Sequence, residues 1–176
     1  MREKVKYRMY GLVPYNISPI QQGIQFGHAV VEYGLKHGRT HVINDKVCTY
    51  TRWARNDKTF IILNGGTTNN NEERFGTLNS AVALLSSLDV KLATFHEPDL
   101  GDQLTAVVFL VDERVWNKEK YPDYTDRLDK KYLISGTQWS DDDLIETSPE
   151  YYDRIMGKDY QEVLEMREFL SNYRLA

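Results

Sequence analysis

Two uninterrupted apolar runs constrain the fold of this 176-residue chain more than any other feature. Residues 59–63 are TFIIL and residues 105–111 are TAVVFLV, so neither run alternates apolar with polar positions as a half-exposed strand does. Continuous apolar runs of this length are typical of strands that are covered on both faces. The two runs therefore predict buried central strands in a sheet that carries helices on both sides.

The other predicted elements alternate with these strands along the chain. Residues 6–13 predict a first strand that stops at Pro14, and residues 90–95 predict a short later strand. Apolar residues spaced three and four apart predict helices over residues 19–36, 45–54 and 77–88. This order predicts an α/β fold, specifically a three-layer α/β/α domain around a mixed sheet of about four strands.

The first predicted helix has a clear start and a mixed surface. Ser18 can cap it, Pro19 suits its first position, and Gln21 occupies the capping-box position. One apolar stripe is expected to face the core, formed by Ile20, Ile24, Gly27, Val31 and Leu35. A polar border lies beside that stripe, formed by Gln21, Gln25, His28 and Glu32. A functional site could form along this border.

The charge balance changes after Asp112. Residues 1–112 carry twelve Lys and Arg against eleven Asp and Glu, whereas residues 113–176 carry ten against fifteen, which gives the net charge of −4. We therefore predict a domain over residues 1–112, with an acidic, tyrosine-rich, mainly helical extension over residues 113–176 packed on it. This distribution lacks the broad basic surface of a dedicated nucleic-acid binder.

The cysteine count and the hydropathy bound the cellular setting. The single cysteine, Cys48, excludes an internal disulfide and favours a reducing, cytoplasmic location. No apolar run approaches the roughly 20 residues that a membrane-spanning helix needs, and no signal-peptide core follows the N-terminus. We accordingly expect no membrane association.

No cofactor or metal is expected from the sequence. Residues 64–66 form an Asn-Gly-Gly turn after a strand, but the lysine of a phosphate-binding loop is missing. His37 and His41 have the spacing of a helical metal site, yet Gly38 between them argues against a helix there. The acidic residues 141–143 lack a calcium-loop spacing and are interpreted as a solvated helix start.

A second polar cluster lies between two predicted strands, within residues 95–105. Four titratable side chains fall within seven positions: His96, Glu97, Asp99 and Asp102. Pro98 and Gly101 fix the local path of the chain. Loops held by a rigid sheet often carry catalytic groups, although a solvated turn is the commoner outcome for such a loop.

Together, the helix border and this loop resemble a known family. Residues 25–29 (Gln-Phe-Gly-His-Ala) resemble the Gln-x-x-His-Ala motif of the archaeal and eukaryotic (class II) peptidyl-tRNA hydrolases. Residues 99–101 (Asp-Leu-Gly) are similar to the Asp-Ala-Gly segment that precedes the last strand of that family. The resemblance covers about residues 6–112. It implies hydrolysis of the ester that joins a peptide, or an N-blocked amino acid, to tRNA.

The resemblance also implies roles for individual residues. Asp99 would orient or deprotonate water, and His28 would act as a donor or base. Gln25 or Gln21 could donate to the ester carbonyl oxygen, as the reaction needs a stabilised oxyanion. The expected catalytic residues are His28, Asp99, Gln25 and Thr105. The expected substrate-binding residues are Gln21, Arg8, Lys36, Arg39, Asp102 and Gln103.

The sequence also departs from the family pattern. Residues 19–21 are Pro-Ile-Gln where the family has Lys-Gly-Lys, and the segment before Thr105 is shortened. The alternative hypothesis is therefore a catalytically inactive copy of the fold that binds protein or nucleic acid. Under the two hypotheses the partners are tRNA or another acyl-RNA, a protein bound through the C-terminal extension, and a second copy in a homodimer. Such altered motifs would suit a viral, phage or accessory-genome protein.

Overall fold

The computed structural model describes residues 6–38, 47–69, 73–128 and 146–176. The chain divides into two compact units. The first, which we call the sheet unit, comprises residues 1–112 and 171–176, and the second, the helical unit, comprises residues 113–170. Within the described ranges, no helix combines the length and the apolar character that crossing a bilayer requires.

The sheet unit confirms the predicted α/β class. Its described strands are β1 (Tyr7–Pro14), β2 (Thr59–Gly66), β3 (Leu92–Glu97) and β4 (Gln103–Asp112). Its described helices are α1 (Pro19–His37), α2 (Thr49–Asn56) and α3 (Thr77–Ser87). The strands form one mixed sheet in the order β2-β1-β4-β3.

Strands β1 and β4 occupy the centre of the sheet. Strand β1 pairs in parallel with β2, for example Tyr10 with Ile61, and antiparallel with β4, for example Tyr10 with Phe109. Strand β3 completes the sheet antiparallel to β4. Residues 104–109 of β4 are all buried, so the second apolar run is the covered central strand that the sequence predicts.

The first apolar run is not central, and that prediction was wrong. Strand β2 lies at the edge, and the Phe60 side chain is 51% exposed. Its ring packs edge-on against Phe26 and Trp53, at centroid distances of 5.3 and 5.4 Å. The Phe60 side chain is therefore partly covered by aromatic rings, although β2 has only one neighbouring strand in the sheet. An apolar run alone does not distinguish these two environments.

The C-terminus covers part of the free edge of β2. The amide of Asn64 donates to the carbonyl of Arg174 at 2.8 Å, and the amide of Ala176 donates to the carbonyl of Ile62 at 3.1 Å. Leu63 and Leu175 form the antiparallel bridge between these two bonds. Residues 171–176 thereby belong to the sheet unit, whereas the sequence analysis assigned them to the extension.

The predicted apolar stripe of α1 faces solvent, so this prediction was also wrong. We call the exposed set the α1 ridge: Ile20 (77% exposed), Ile24 (50%), Val31 (60%) and Leu35 (63%). The buried residues of α1 are Gln25, Phe26, Ala29 and Tyr33. Both sets have helical spacing, but the aromatic set buries the larger rings against the sheet. The close fit of the Phe26 ring over Gly11 decides which side of the helix turns inward.

Glycine at position 11 allows α1 to lie close to the sheet. A Cβ atom at Gly11 would overlap the ring of Phe26, so a larger residue there would displace the helix. On the other face of the sheet, a Cβ at Gly65 would meet the side chains of Leu78 and Leu12. Because alternate residues of a strand point to opposite faces, Gly11 faces α1 and Leu12 faces α3. The three layers that the sequence predicts are thus present.

The helical unit contains α4 (Glu113–Trp116), α5 (Ser148–Met156) and α6 (Tyr160–Ser171, whose last residue is assigned to the sheet unit). Arg167, whose side chain is 7% exposed, connects three segments of this unit. Its guanidinium donates to Asp123 at 2.6 Å and to the carbonyl oxygens of Arg114 and Tyr121. The acidic residues 141–143 lie outside the described residues.

Candidate functional site

The start of α1 forms the capping box that its sequence predicts. The backbone amide of Gln21 donates to Ser18 Oγ at 3.3 Å, and the amide of Ser18 donates to Gln21 Oε1 at 3.1 Å. The two contacts satisfy amides at the helix start that have no partner within the helix. The side-chain oxygen of Gln21 is therefore engaged in the helix cap.

A hydrogen-bonded chain of three side chains connects α1 to the two strands beneath it. The hydroxyl of Thr105 donates to Gln25 Oε1 at 2.7 Å, and Gln25 Nε2 donates to Glu97 Oε2 at 2.5 Å. Gln25 is 6% exposed and Thr105 is fully buried. Bonds aligned in one direction polarise one another in a dry environment. The Gln25 amide is thus held at both ends, between the Thr105 hydroxyl and the Glu97 carboxylate.

A β-bulge turns Thr105 towards Gln25. In the ladder between β3 and β4, Phe95 pairs with Ala106 and His96 pairs with Leu104, so Thr105 has no partner opposite it. An extra residue in one strand of an antiparallel pair is called a β-bulge; it bends that strand and changes the direction in which the extra residue's side chain points. The bulge therefore brings two of the predicted site residues together, Gln25 and Thr105.

His28 lies along the same seam between α1 and β3. Its ring stacks on Phe95 with a centroid distance of 4.5 Å and an interplanar angle of 13°. Gln25 and His28 are three residues apart and share one side of the helix. Phe95 and Glu97 are two residues apart and share one face of the strand. His28 and Gln25 consequently lie on one seam, about one helical turn apart along α1, and each contacts a residue of β3.

Asp99 lies beyond the end of this seam. It is exposed in a single 3₁₀ turn, Pro98–Leu100, which follows β3 directly. Gly101 and Asp102 then adopt positive φ angles of 67° and 57°, and these lead the chain back into β4. Within the part of the chain that the structure describes, no hydrogen bond or ion pair joins Asp99 to His28 or Gln25.

A pocket of about 320 Å³ has Thr105 as one of its lining residues. It lies where the parallel strands β1 and β2 end, an edge at which α/β sheets commonly bind ligands. Its lining residues are Pro14, Asn16, Ile17, Thr68, Asn69, Leu100, Gln103 and Thr105. None of these side chains is charged. The buried atoms Gln103 Oε1 and Thr68 Oγ1 have no hydrogen-bond partner.

The expected cationic contacts are not part of this pocket. Arg8 lies on β1 and forms a hydrogen bond with Tyr10. Burial raises the pKa of the Tyr10 phenol, and this hydrogen bond only partly offsets that effect. Lys36 donates to the carbonyl of Leu92 at 3.3 Å, near the end of α1. Arg39 and His41 lie outside the described residues. Neither Arg8 nor Lys36 lines the 320 Å³ pocket.

Three residues of this region were not assigned a role from the sequence. Glu97 was noted as one of several acids, but nothing in the sequence indicates its bond to Gln25. Phe95 ends the strand predicted over residues 90–95, and Thr68 follows the predicted Asn-Gly-Gly turn. Side chains alternate along β3, so Phe95 and Glu97 lie on the same face of the strand. This alternation is the sequence signal from which their shared position could be predicted. No sequence signal points to Thr68.

Among the described residues, no group of three or more His, Cys, Asp and Glu side chains is arranged to hold a metal ion. No protein-family model and no curated protein matches the sequence. The resemblance to class II peptidyl-tRNA hydrolases therefore rests on the motifs of residues 25–29 and 99–101.

Proposed function

We propose that the sheet unit hydrolyses the ester of peptidyl-tRNA or of another N-blocked acyl-RNA. The observation that supports the proposal most is the seam between α1 and β3, where Gln25 and Thr105 hold the Glu97 carboxylate and the imidazole of His28 stacks on Phe95. For an ester that is intrinsically reactive, holding a water molecule beside a general base is sufficient to support hydrolysis.

The proposed reaction is addition of water to the ester carbonyl carbon. His28 accepts a proton from the attacking water, and Asp99, exposed at the end of the seam, orients that water. Collapse of the tetrahedral intermediate breaks the bond to the ribose oxygen, which takes up the proton. The products are a peptide with a free carboxylate and tRNA with a free terminal hydroxyl. Gln25 and Thr105 act as positioning residues.

Release of N-acetyl-aminoacyl groups from tRNA tests the proposal. We expect wild-type protein to release the acyl group, and His28→Gln and Asp99→Asn each to slow release by about 10²-fold or more, the usual contribution of general acid–base groups. Glu97→Gln is expected to act more weakly, through kcat rather than KM. If the wild-type protein is folded and releases nothing above background, the hydrolase proposal is wrong.

Two neighbouring residues supply matched controls. His96 is exposed on β3 and, by alternation, points away from the face that carries Phe95 and Glu97. Asp89 is an exposed carboxylate in the turn before β3. His96→Gln and Asp89→Asn should leave release unchanged. Loss of activity in these variants to the same degree would show that the assay reports general damage and not the proposed site.

A second candidate function is a binding module that has lost catalysis, and the α1 ridge favours it. Four large aliphatic side chains, each at least 50% exposed, follow one side of α1. Exposed apolar patches of this kind often mark surfaces that bind other proteins. Under this alternative, His28→Gln has no effect on any release, whereas replacing Ile24 and Val31 by Gln abolishes binding of the partner.

A further inference from the structure

We propose that the α1 ridge is the surface through which two copies of this chain form a weak homodimer, with their α1 helices packed antiparallel. The contact is independent of the proposed hydrolysis. It assigns a single occupant, a second copy of the same helix, to the apolar surface that α1 turns to solvent.

The α1 ridge is a continuous apolar surface along the helix. Its four large side chains recur at helical spacing from Ile20 to Leu35, and each exposes 50–77% of its surface. Gly23 and Gly27 lie among them, and a Cβ atom added at either position would meet nothing within 4 Å. Because glycine leaves the helix backbone uncovered, another helix can approach closely there. The surface therefore suits contact with an apolar helix.

The spacing of the ridge is the same when it is followed from either end. Ile20 and Leu35 lie equally far from the midpoint between residues 27 and 28, and Ile24 and Val31 do as well. In a twofold contact, residue i of one copy meets residue j of the other, and residue j meets residue i. Two antiparallel α1 helices centred on that midpoint therefore bring Ile24 against Val31 twice. The contact of Ile20 with Leu35 is repeated in the same way.

The area that two ridges bury reaches what a specific dimer needs. Each ridge side chain leaves roughly 100 Å² of apolar surface in solvent, so two ridges contribute about 800 Å². The glycine backbone and the polar border of α1 add to this, and the total reaches the roughly 1,000 Å² at which a specific interface is expected. An interface near that lower limit is weak. We therefore expect the chain to be monomeric at the low concentrations of an unfolding experiment.

The charges of α1 favour a second copy over a lipid surface. At neutral pH the charged side chains of α1 are Glu32 and Lys36, and neither belongs to the ridge. In the antiparallel pair, position 32 of one copy lies opposite position 23 of the other, so the two Glu32 side chains are separated by about 13 Å along the helix axis. Helices that lie on membranes usually carry several lysines or arginines on their polar face, whereas α1 has one lysine.

The test is sedimentation velocity of the full chain from about 5 to 500 µM, a range in which weak interfaces associate. We expect the average mass to rise from that of the 20.5 kDa chain towards twice that value. Ile24→Gln removes two symmetric apolar contacts, so it should weaken association by about 100-fold, or tenfold for each contact. Leu84→Gln, at a 48% exposed position on α3, is the matched control and should associate as the wild type does.

Two charge substitutions test the antiparallel arrangement. Ile24→Lys and Val31→Glu should each abolish association alone, because each sets an unpaired charge against an aliphatic side chain. The two changes in one chain should associate at least about tenfold more tightly than either alone, since each introduced lysine then faces an introduced glutamate. A parallel pair would set like charges against one another. Failure of the double variant to associate would therefore overturn the antiparallel arrangement.

Three further outcomes would overturn the homodimer contact. The wild-type chain could stay monomeric at the highest concentration, or Ile24→Gln could leave its association unchanged. Binding of the monomer to phosphatidylglycerol vesicles, lost in Val31→Gln, would assign the ridge to a lipid surface. Dimer formation without acyl release would support the ridge contact while the hydrolase proposal fails. Acyl release by a strictly monomeric chain would support the hydrolase and overturn the contact.

Discussion

The hydroxyl of Thr105 donates a 2.7 Å hydrogen bond to the side-chain oxygen of Gln25, which lies 80 residues earlier in the chain. This contact joins the central strand β4 to α1 in a fully buried setting. Thr105→Val would leave the Gln25 oxygen without a donor, and we expect the sheet unit to lose about 1–3 kcal/mol of its free energy of unfolding. Amide hydrogen exchange of β4 in increasing urea measures this loss.

A half-buried threonine on the neighbouring strand provides the control for that experiment. Thr94→Val on β3 should change the free energy of unfolding by no more than about 0.5 kcal/mol. In the Thr105→Val background, Gln25→Leu is expected to cost less than it does in the wild type, because the two side chains act as a pair. Strict additivity of the two changes would show that the bond contributes nothing to stability.

Two glycines are expected to respond to alanine in opposite directions. At Gly11 the new Cβ would overlap the ring of Phe26, so Gly11→Ala should destabilise the sheet unit by about 1–3 kcal/mol. At Gly27, inside α1, a Cβ would meet nothing within 4 Å, so Gly27→Ala should stabilise it by about 0.5–1 kcal/mol. Urea unfolding of both variants is the measurement, and the same sign for both would contradict the described position of α1.

Polar substitutions on opposite sides of α1 test which side is buried. Val31 is 60% exposed and Ala29 is fully buried. Val31→Gln should therefore change the free energy of unfolding by no more than about 0.5 kcal/mol. Ala29→Gln should cost several times more, since it inserts a long polar side chain into a packed core. Thermal unfolding compares the two variants. A larger loss of stability for Val31→Gln than for Ala29→Gln would support the prediction that the stripe containing Val31 faces the core.

Acid is expected to destabilise the helical unit through Asp123. Burial opposes ionisation of this carboxyl, but the hydrogen bonds and charges of Lys118 and Arg167 outweigh burial and lower its pKa below the ordinary 3.8. A lowered pKa means that the folded state binds fewer protons than the unfolded state, so this contribution is present above the ordinary value and is lost as the pH falls below it.

The pH dependence of unfolding checks this sign. Between neutral pH and about pH 3, the melting temperature of the wild-type helical unit should fall more steeply than that of Asp123→Asn, which cannot ionise. Asp126→Asn, at a nearby exposed position, should follow the wild-type slope. If the melting temperature of Asp123→Asn falls with pH as steeply as that of the wild type, the acid sensitivity belongs to other carboxyl groups.

Local signals predicted the elements of the sheet unit well. The strand over residues 105–111 and the capped start of α1 at Ser18 are both confirmed, because each depends on residues close together in the chain. The sequence indicates Gln25, His28 and Thr105 as candidate residues, and the structure joins Gln25 to Thr105. It does not indicate the contact of Glu97 with Gln25, because that hydrogen bond spans 72 residues of the chain.

The sequence by itself determined the order of strands and helices and the α/β class, through periodicity, capping and apolar runs. Only the tertiary structure decided that Phe26 and not Ile24 faces the sheet, that β2 lies at the edge, and that a bulge brings Thr105 to Gln25. The physical reason is that helical periodicity permits two stripes on α1. Packing of the Phe26 ring over Gly11 selects between them.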